Sequence, residues 1–559
     1  MDYTSEFNKK LDELNTEQRL AVDHINGPVM VVAGPGTGKT QLLAMRVANI
    51  LYQTDTLPSN ILCLTFTEAA ATNMVERLAS IIGPDAYKVE ISTFHGFGSS
   101  IIGRYGEYFY NGATYQPADE LTQGEIITEI LAKLPYNNPL RSINNGQFTY
   151  LRDIQSLIND LKKAAISPSE LREFAQQNID FCDAVSDSVN HLFGQRMNVK
   201  LLQQARELVG EARLFAASQP DLNFTTEPKL ANLMANTLEQ AIDQAESGEK
   251  VTTKPLTAFK QSWCEKDGAD KDHVVLKDRK RSEKILLAAD VYESYLKEMD
   301  RRSLYDFGDM IIGVIQAVEQ HPELKANLQE QYQYILVDEF QDTNDAQMRL
   351  LNNLTDYDDQ PNLMVVGDDD QAIYRFQGAD ISNIQQFAER FPVLTQINLR
   401  NNYRSGADIL HASQSVSNGI SSRLTNVDGT PKQLIAMREI PSQLKMFTAT
   451  NMEHEMDFVA SSISELIKQG ENPGNIAVIG RRHDSLEQLV QYLAKRGVKV
   501  AYERQRDVFQ SPLIQLIVAL AKLVRGINSG NQNDIDENLP MVLACEAFGL
   551  SRKDYYKLC

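Results

Sequence analysis

Cysteine is scarce in this 559-residue chain and is never set at a metal-ligand spacing. Cys63, Cys182, Cys264, Cys545 and Cys559 are scattered, odd in number and free of any C-x-x-C pair. That argues against a disulfide framework or a zinc or iron–sulfur centre, and fits reduced thiols in the cytosol. No apolar run reaches the roughly 18 residues a membrane helix needs. The opening MDYTSEFNKK is polar, with no apolar signal core. The expectation is a cytoplasmic chain with no membrane partner. Internal repeats and low-complexity tracts are also lacking, which excludes solenoids and disordered tails. Positive charge is in deficit: 55 Lys and Arg stand against 75 Asp and Glu, a formal net charge of −20. Alone, that disfavours nucleic acid, whose phosphates need Lys and Arg. The objection is limited, because net charge governs solubility and long-range steering while a groove needs only local positive charge.

What is present reads as an α/β protein. Hydrophobic residues make up 42 % and charged residues 23 %, a globular balance. The length suits roughly three to five domains. Residues 1–110 alternate apolar runs with helical patterns. PVMVVAG (28–34) and ILCLTF (61–66) are strand candidates, and KTQLLAMRVANILY (39–52) sets Leu43, Val47, Ile50 and Leu51 on one helical face. This is the rhythm of a parallel sheet with crossover helices. Residues 111–300 read as a mostly helical insertion, with Ile154, Leu157, Ile158 and Leu161 at helical spacing. Strands return at YQYILVDEF (332–340) and NLMVVGDDD (362–370). A second β-α-β-α-β series is expected from LKMFTA (444–449), IAVIG (476–480) and VKV (498–500), and the last forty or so residues turn helical.

The chemistry concentrates at two strand ends. Ala33-Gly34-Pro35-Gly36-Thr37-Gly38-Lys39-Thr40 follows a strand and opens a helix. Backbone N–H groups of such a loop, with the positive end of the helix, cradle phosphate oxygens. Lys39 is placed to reach the β- and γ-phosphates of ATP, and the Thr40 hydroxyl to ligate Mg²⁺. The alanine at the first position makes this the looser form of the phosphate-loop pattern. Asp338-Glu339 ends the run Tyr334–Val337, where parallel sheets bind ligands. Asp338 is the expected magnesium ligand, and Glu339 the base that activates water. Gln371, after a strand and three aspartates, suits a sensor of the γ-phosphate. Arg404 suits an arginine delivered across a cleft to the transferring phosphoryl group, with Tyr403 beside it able to stack on adenine.

These pieces, in this order, resemble the UvrD/Rep/PcrA family of superfamily 1A DNA helicases. LNTEQRLAV (14–22) is similar to the family's opening motif, which implies that Gln18 reads adenine. LTFTEAAATNMVERL (64–78) and STFHGF (92–97) resemble its early DNA-contact motifs, LVDEFQDTN (336–344) its acidic motif, VVGDDDQAIYRFQGAD (365–380) its third and NYRS (402–405) its fourth. The resemblance implies two RecA-like motor lobes of the P-loop NTPase class, each with an inserted helical domain. The first lobe would comprise 1–110 and 301–400, its insertion 111–300, the second lobe 401–525, and the second insertion 526–559. It implies a 3′→5′ ATP-dependent helicase or translocase in repair or recombination, using Mg²⁺-ATP. Its partners would be single-stranded DNA, single-strand/duplex junctions and repair or recombination proteins. Phe66, Tyr374 and Phe376 match positions that touch bases, and Thr93 and His95 match positions near the backbone.

This sequence departs from the family at several places. Gln377 stands where the third motif has arginine, and Glu68-Ala69 where Asn-Lys is usual; both remove positive charge beside DNA. The first insertion, about 190 residues long, exceeds that of the smallest members. The fifth and sixth motifs are expected beyond residue 559, so the chain is expected to be an N-terminal part that ends inside the second insertion. The competing reading is therefore a fragment, or half of a split protein, that binds ATP and DNA but hydrolyses poorly for want of a second arginine.

Overall fold

Why the apolar runs form strands is plain from their two faces. In the computed structural model, β1 (Val29–Ala33) and β2 (Ile61–Thr65) are buried at every position. β3 (Glu90–Thr93) stands beside them, with β4 (Tyr334–Val337), β5 (Leu363–Gly367) and β6 (Thr395–Leu399) completing a six-stranded sheet. The strand order is β6-β1-β5-β4-β2-β3 and every pairing is parallel. Strand periodicity sends Met30, Val32, Leu62, Leu64, Ile335 and Val337 to one face and Val29, Val31, Ile61, Cys63, Tyr334 and Leu336 to the other. A sheet buried on both faces needs continuous β-branched and aliphatic runs, which these segments supply.

The structure describes residues 3–109, 115–144, 147–220, 229–247, 251–267, 273–374, 379, 382–420, 432–440, 442–502 and 511–545. One face of the sheet is covered by α1 (Thr16–Asp23), α2 (Lys39–Gln53) and α3 (Glu68–Ile82). Arg46 of α2 is 1 % exposed, and its guanidinium donates to the carbonyls of Ala21 (2.7 Å), His24 and Ile25 (3.2 Å). The end of α1 is thereby fastened to the helix that follows the phosphate loop. The opposite face is covered by α4 (Phe94–Arg104) and by helices further along the chain.

Residues 118–304 bury two apolar clusters of their own. The expected helix at 151–164 is α5 (Leu151–Lys163), and the insertion closes with the long α6 (Lys277–Arg301) before α7 (Phe307–Gln320) rejoins the sheet. The junction is a buried ionic node. Lys162 of α5 lies 2.6 Å from Asp306 Oδ2 and 2.6 Å from Asp309 Oδ1, and the Tyr295 hydroxyl of α6 donates to Asp306 at 3.0 Å. Asp306 is also the N-cap of α7. One lysine thus joins α5, α6 and α7.

The chain divides into two compact units, Met1–Gln443 and Leu444–Cys559, a later division than residue 401, where the second lobe is expected. In the second unit, α8 (Met452–Lys468) and α9 (His483–Lys495) pack through Met456, Ala460, Ile463, Leu489 and Leu493. The segments expected to be strands, 444–449, 476–480 and 498–500, carry no ladder pairing among the described residues. A strand exists only with a neighbour to bond, and residues such as Met446 and Ile479 are more than nine-tenths exposed. No described helix is long and apolar enough to cross a membrane.

Replacing Lys162 alone strands the buried Asp306 carboxylate and the half-buried Asp309 beside it. Lys162→Met is expected to lower the stability of the first unit by about 3–5 kcal/mol, read by chemical denaturation. A loss within about 0.5 kcal/mol, the scale of surface substitutions, would show that the node does not hold the insertion to the sheet.

Candidate nucleotide site and aromatic face

The phosphate loop leaves the buried end of β1 and turns twice through left-handed backbone, at Gly36 (φ 72°) and Gly38 (φ 90°). A side chain at Gly36 would meet Arg404 Cβ at 2.6 Å, and one at Gly38 would meet Gln18 Nε2 at 3.0 Å. The loop's carbonyls are each taken. Thr37 Oγ1 donates to Gly34 O at 2.8 Å, Asn402 Nδ2 to Pro35 O, Tyr403 N to Gly36 O at 2.9 Å, and Gln18 Nε2 to Thr37 O at 2.9 Å. The orphan N–H groups that every helix N-terminus carries remain at the start of α2, beside Lys39 and the half-buried Thr40. Gln18, expected at adenine, is 6 % exposed and serves as a clamp on the loop. It also closes the capping box of α1 with Asn15, whose Nδ2 donates to the Tyr403 hydroxyl at 2.9 Å.

Acidic groups face this loop from the tip of β4. Asp338 is 7 % exposed, and Glu339 adopts φ 49°, a left-handed conformation that costs a non-glycine residue about 1 kcal/mol or more. Lys39 Nζ lies 2.5 Å from Glu339 Oε2. Burial, with the Glu339 carboxylate beside it, pushes the Asp338 carboxyl up to about 6, and the same causes push Asp342 up to about 6. Asp342 Oδ1 is buried with no hydrogen-bond partner. Three carboxylates crowded around one lysine are a hard-oxygen set with a deficit of positive charge, which suits Mg²⁺ held by Asp338 and the Thr40 hydroxyl.

The tip of β5 adds a second cluster. Gln371 Nε2 donates to Asp368 Oδ2 at 2.8 Å. Lys432 lies 3.3 Å from Asp368 Oδ1 and in contact with Asp369. The Asn401–Ser405 turn is fixed by Asn402, which is fully buried and accepts the N–H groups of Arg404 (2.9 Å) and Ser405 (2.8 Å). Arg404 itself is exposed, with its Cβ against Gly36. The structure therefore gathers Gln18, the loop from Ala33 to Thr40, Asp338, Glu339, Tyr403 and Arg404, and hydrogen bonds bring Gln371 to the same edge.

Two aromatic pairs stand at the strand ends that follow β2 and β3. Phe66 follows β2 and is half-buried, with its ring 5.4 Å from that of Tyr374 and tilted by 32°. His95 meets Phe307 edge-on at 6.2 Å, and burial holds its imidazole below the usual histidine value, hence neutral at pH 7. Thr93 is occupied: its hydroxyl caps α4 at Gly96 N (3.0 Å) and donates to Glu68 at 2.7 Å. Phe376 and Gln377 lie outside the described residues. Sequence reading passed over Phe307, which is 68 % exposed, because a lone phenylalanine at a helix start carries no signal. It also passed over Gln341, Asp342 and Lys432. The first two sit inside the quoted run LVDEFQDTN and could have been found there.

Comparison with known proteins covers most of the chain. The family model for the UvrD/REP helicase N-terminal domain matches residues 14–193 and 182–392, and that for the UvrD-like helicase C-terminal domain matches 397–535. The chain is 28 % identical over 525 residues to the ATP-dependent DNA helicase PcrA of Bacillus subtilis (strain 168), covering 94 % of this chain and 54 % of that protein. It is 27 % identical over 474 residues to a probable DNA helicase II homolog of Rickettsia felis, covering 84 % and 53 %. It is 24 % identical over 521 residues to PcrA of Staphylococcus aureus (strain Mu50), covering 93 % and 55 %. The chain spans about half the length of these relatives. The C-terminal match overturns the expectation of an N-terminal part alone, lacking the later motifs. That expectation rested on two short motifs, whereas the C-terminal family model matches positions distributed over residues 397–535.

The raised carboxyls fix a pH dependence. The folded chain binds more protons than the unfolded one between the unfolded carboxylate value, about 4, and the folded value of about 6. Without metal, the contribution of these two carboxyls to stability is therefore greatest below that window and falls as pH rises through it. Asp338→Asn is expected to raise stability at pH 7 by about 2 kcal/mol and to flatten the slope, at the expense of magnesium-dependent turnover. A variant less stable than the parent at pH 7 would contradict the crowding of these carboxylates.

Proposed function

The chain belongs to the UvrD/REP helicase family, and on that premise we propose that it is an ATP-dependent DNA motor that translocates 3′→5′ on single-stranded DNA and unwinds junctions in repair or recombination. The observation that carries the proposal is the single short segment, 368–374, that runs from the carboxylate tip of β5 to the Phe66–Tyr374 pair. Nucleotide chemistry and base stacking are thus adjacent on one sheet edge.

The protein groups divide the work. Loop amides and Lys39 bind the phosphates, and the ammonium must leave Glu339 to do so. Glu339, freed of its counter-ion, orients a water molecule and takes its proton as the terminal phosphoryl group departs. Bound Mg²⁺ supplies charge neutralisation to the phosphate oxygens; Asp338 and Thr40 hold it. Gln371 reports the terminal phosphate to Asp368, Arg404 stabilises negative charge on the transferring group, and Tyr403 stacks on the base. On the DNA side Phe66, Tyr374 and Phe376 form stacking surfaces that the exposed Phe307 extends, with Thr93 and His95 near the backbone. Cytoplasmic placement and repair or recombination partner proteins belong to the same proposal.

Three experiments test it. ATP hydrolysis by the 559-residue chain is expected to rise with single-stranded DNA and to vanish in Lys39→Ala. Binding of both ligands without turnover would instead favour a binding-only fragment. Phe66→Ala and Tyr374→Ala are each expected to weaken single-strand binding by about 1–3 kcal/mol in a fluorescence titration. Unchanged affinity in both would remove these rings from the DNA path, and unwinding confined to duplexes with 5′ tails would refute the polarity.

A further inference from the structure

One buried amide spans the tips of β4 and β5. Gln341 is 1 % exposed. Its Nε2 donates to Glu339 Oε2 at 2.9 Å and to Asp342 Oδ2 at 3.3 Å, while its Oε1 accepts the backbone N–H of Asp368 at 2.9 Å. The donor end is thus committed to the expected base, and the acceptor end to the strand that carries Gln371. A side chain at Gly367 would come within 2.8 Å of Gln341 Oε1 and 3.2 Å of Gln341 N, so β5 approaches this closely only as glycine. Beyond the amide, Asp368 receives Gln371 Nε2 at 2.8 Å, and Ile373 N donates to Gln371 O at 2.8 Å, one residue before Tyr374. The result is an unbroken polar chain, Lys39–Glu339–Gln341–Asp368–Gln371, that ends at the aromatic pair. The glutamine amide donates at one end and accepts at the other, as this position requires.

We propose that Gln341 is a positioning residue that sets the direction of the Glu339 carboxylate according to where the 368–374 segment stands. DNA on Phe66 and Tyr374 moves that segment; Asp368 N carries the movement to the amide, and the amide turns the base. Glu339, in left-handed backbone beyond the last ladder bond of β4, has its carboxylate held by Lys39 and Gln341. Once Lys39 turns to phosphate, the amide remains as its guide. This inference rests on the motor function proposed above.

The test uses the full chain: Gln341→Met, Gln371→Ala, the double variant and the parent, with kcat and KM for ATP measured with and without single-stranded DNA. Methionine keeps the volume and removes all three side-chain hydrogen bonds. Expected for Gln341→Met is a kcat about 10- to 100-fold lower with DNA, the scale of a misdirected catalytic group, with KM within about threefold. The stimulation by DNA should shrink, and the double variant should be no slower than the slower single one, because the two residues act in series. Gln341→Glu separates the two ends of the amide: it can still accept from Asp368 N but presents a carboxylate to Glu339. A residue that merely satisfied the Asp368 N–H would tolerate this change and would lower melting temperature without dividing kcat from KM. Full DNA stimulation in Gln341→Met, multiplicative losses in the double variant, or unimpaired turnover in Gln341→Glu would each overturn the proposal. If the parent shows no Lys39-dependent turnover, the motor reading fails separately. The positioning role is then read from the factor by which single-stranded DNA changes affinity for a non-hydrolysable ATP analogue, and an equal factor in parent and Gln341→Met overturns it.

Discussion

Lys39 stands among Asp338, Glu339 and Asp342, and its ammonium opposes the burial and the repulsion that drive two of those carboxyls toward protonation. Much of the first unit can be understood as the means of holding this imbalance. A low-dielectric position at the end of a fully buried strand strengthens each charge interaction, and the backbone at Glu339 is kept in a conformation that a residue free to relax would leave. A site so arranged is least comfortable when nothing but the lysine neutralises it. On the proposed function, magnesium and a polyphosphate would relieve the imbalance from both sides, the cation at the carboxylates and the anion at the lysine.

The sheet makes that placement rigid. With all six strands parallel, the C-terminal ends of β1, β2, β4 and β5 emerge on one edge, and their loops carry respectively the phosphate loop, Phe66, Asp338-Glu339 and Asp368–Gln371. Clamps then fix the loops to one another: Gln18 and Asn402 on the phosphate loop, Gln341 between the two acidic tips, Arg46 behind α2. These clamps are amide and guanidinium groups that satisfy buried carbonyls and N–H groups, so each loop is positioned by the same bonds that make its burial tolerable. The helical insertion is tied in by a different device, one buried lysine shared by two aspartates and a tyrosine, which joins elements far apart in sequence at a single point.

Much of this was legible in the residues alone. Strand ends punctuated by Gly34, Asp338 and Asp368 announce a parallel sheet and its ligand edge, because backbone geometry and charge at a strand tip are local properties. The chemical identity of the phosphate loop is likewise local, since Gly36 and Gly38 are needed for positive φ wherever the loop sits. The expected strands at 444–449, 476–480 and 498–500 show the limit: their apolar pattern is real, yet pairing is a property of neighbours and not of the segment. The scarcity of cations behind the net charge of −20 was similarly uninformative about the site, where Lys39 acts through position.

The sequence by itself determined the sheet class, the phosphate loop and the acidic tips, because each depends on the conformational preference and chemistry of a few consecutive residues. Tertiary structure alone decided what those residues do to each other. It tied Gln18 to the Thr37 carbonyl of the phosphate loop, occupied Thr93 with Glu68, set Phe307 beside His95 across about 210 residues of chain, and placed Gln341 between two strands that lie adjacent only in the folded sheet. Hydrogen-bond partners and ring contacts of that range are fixed by strand order and register, which no short window of sequence contains.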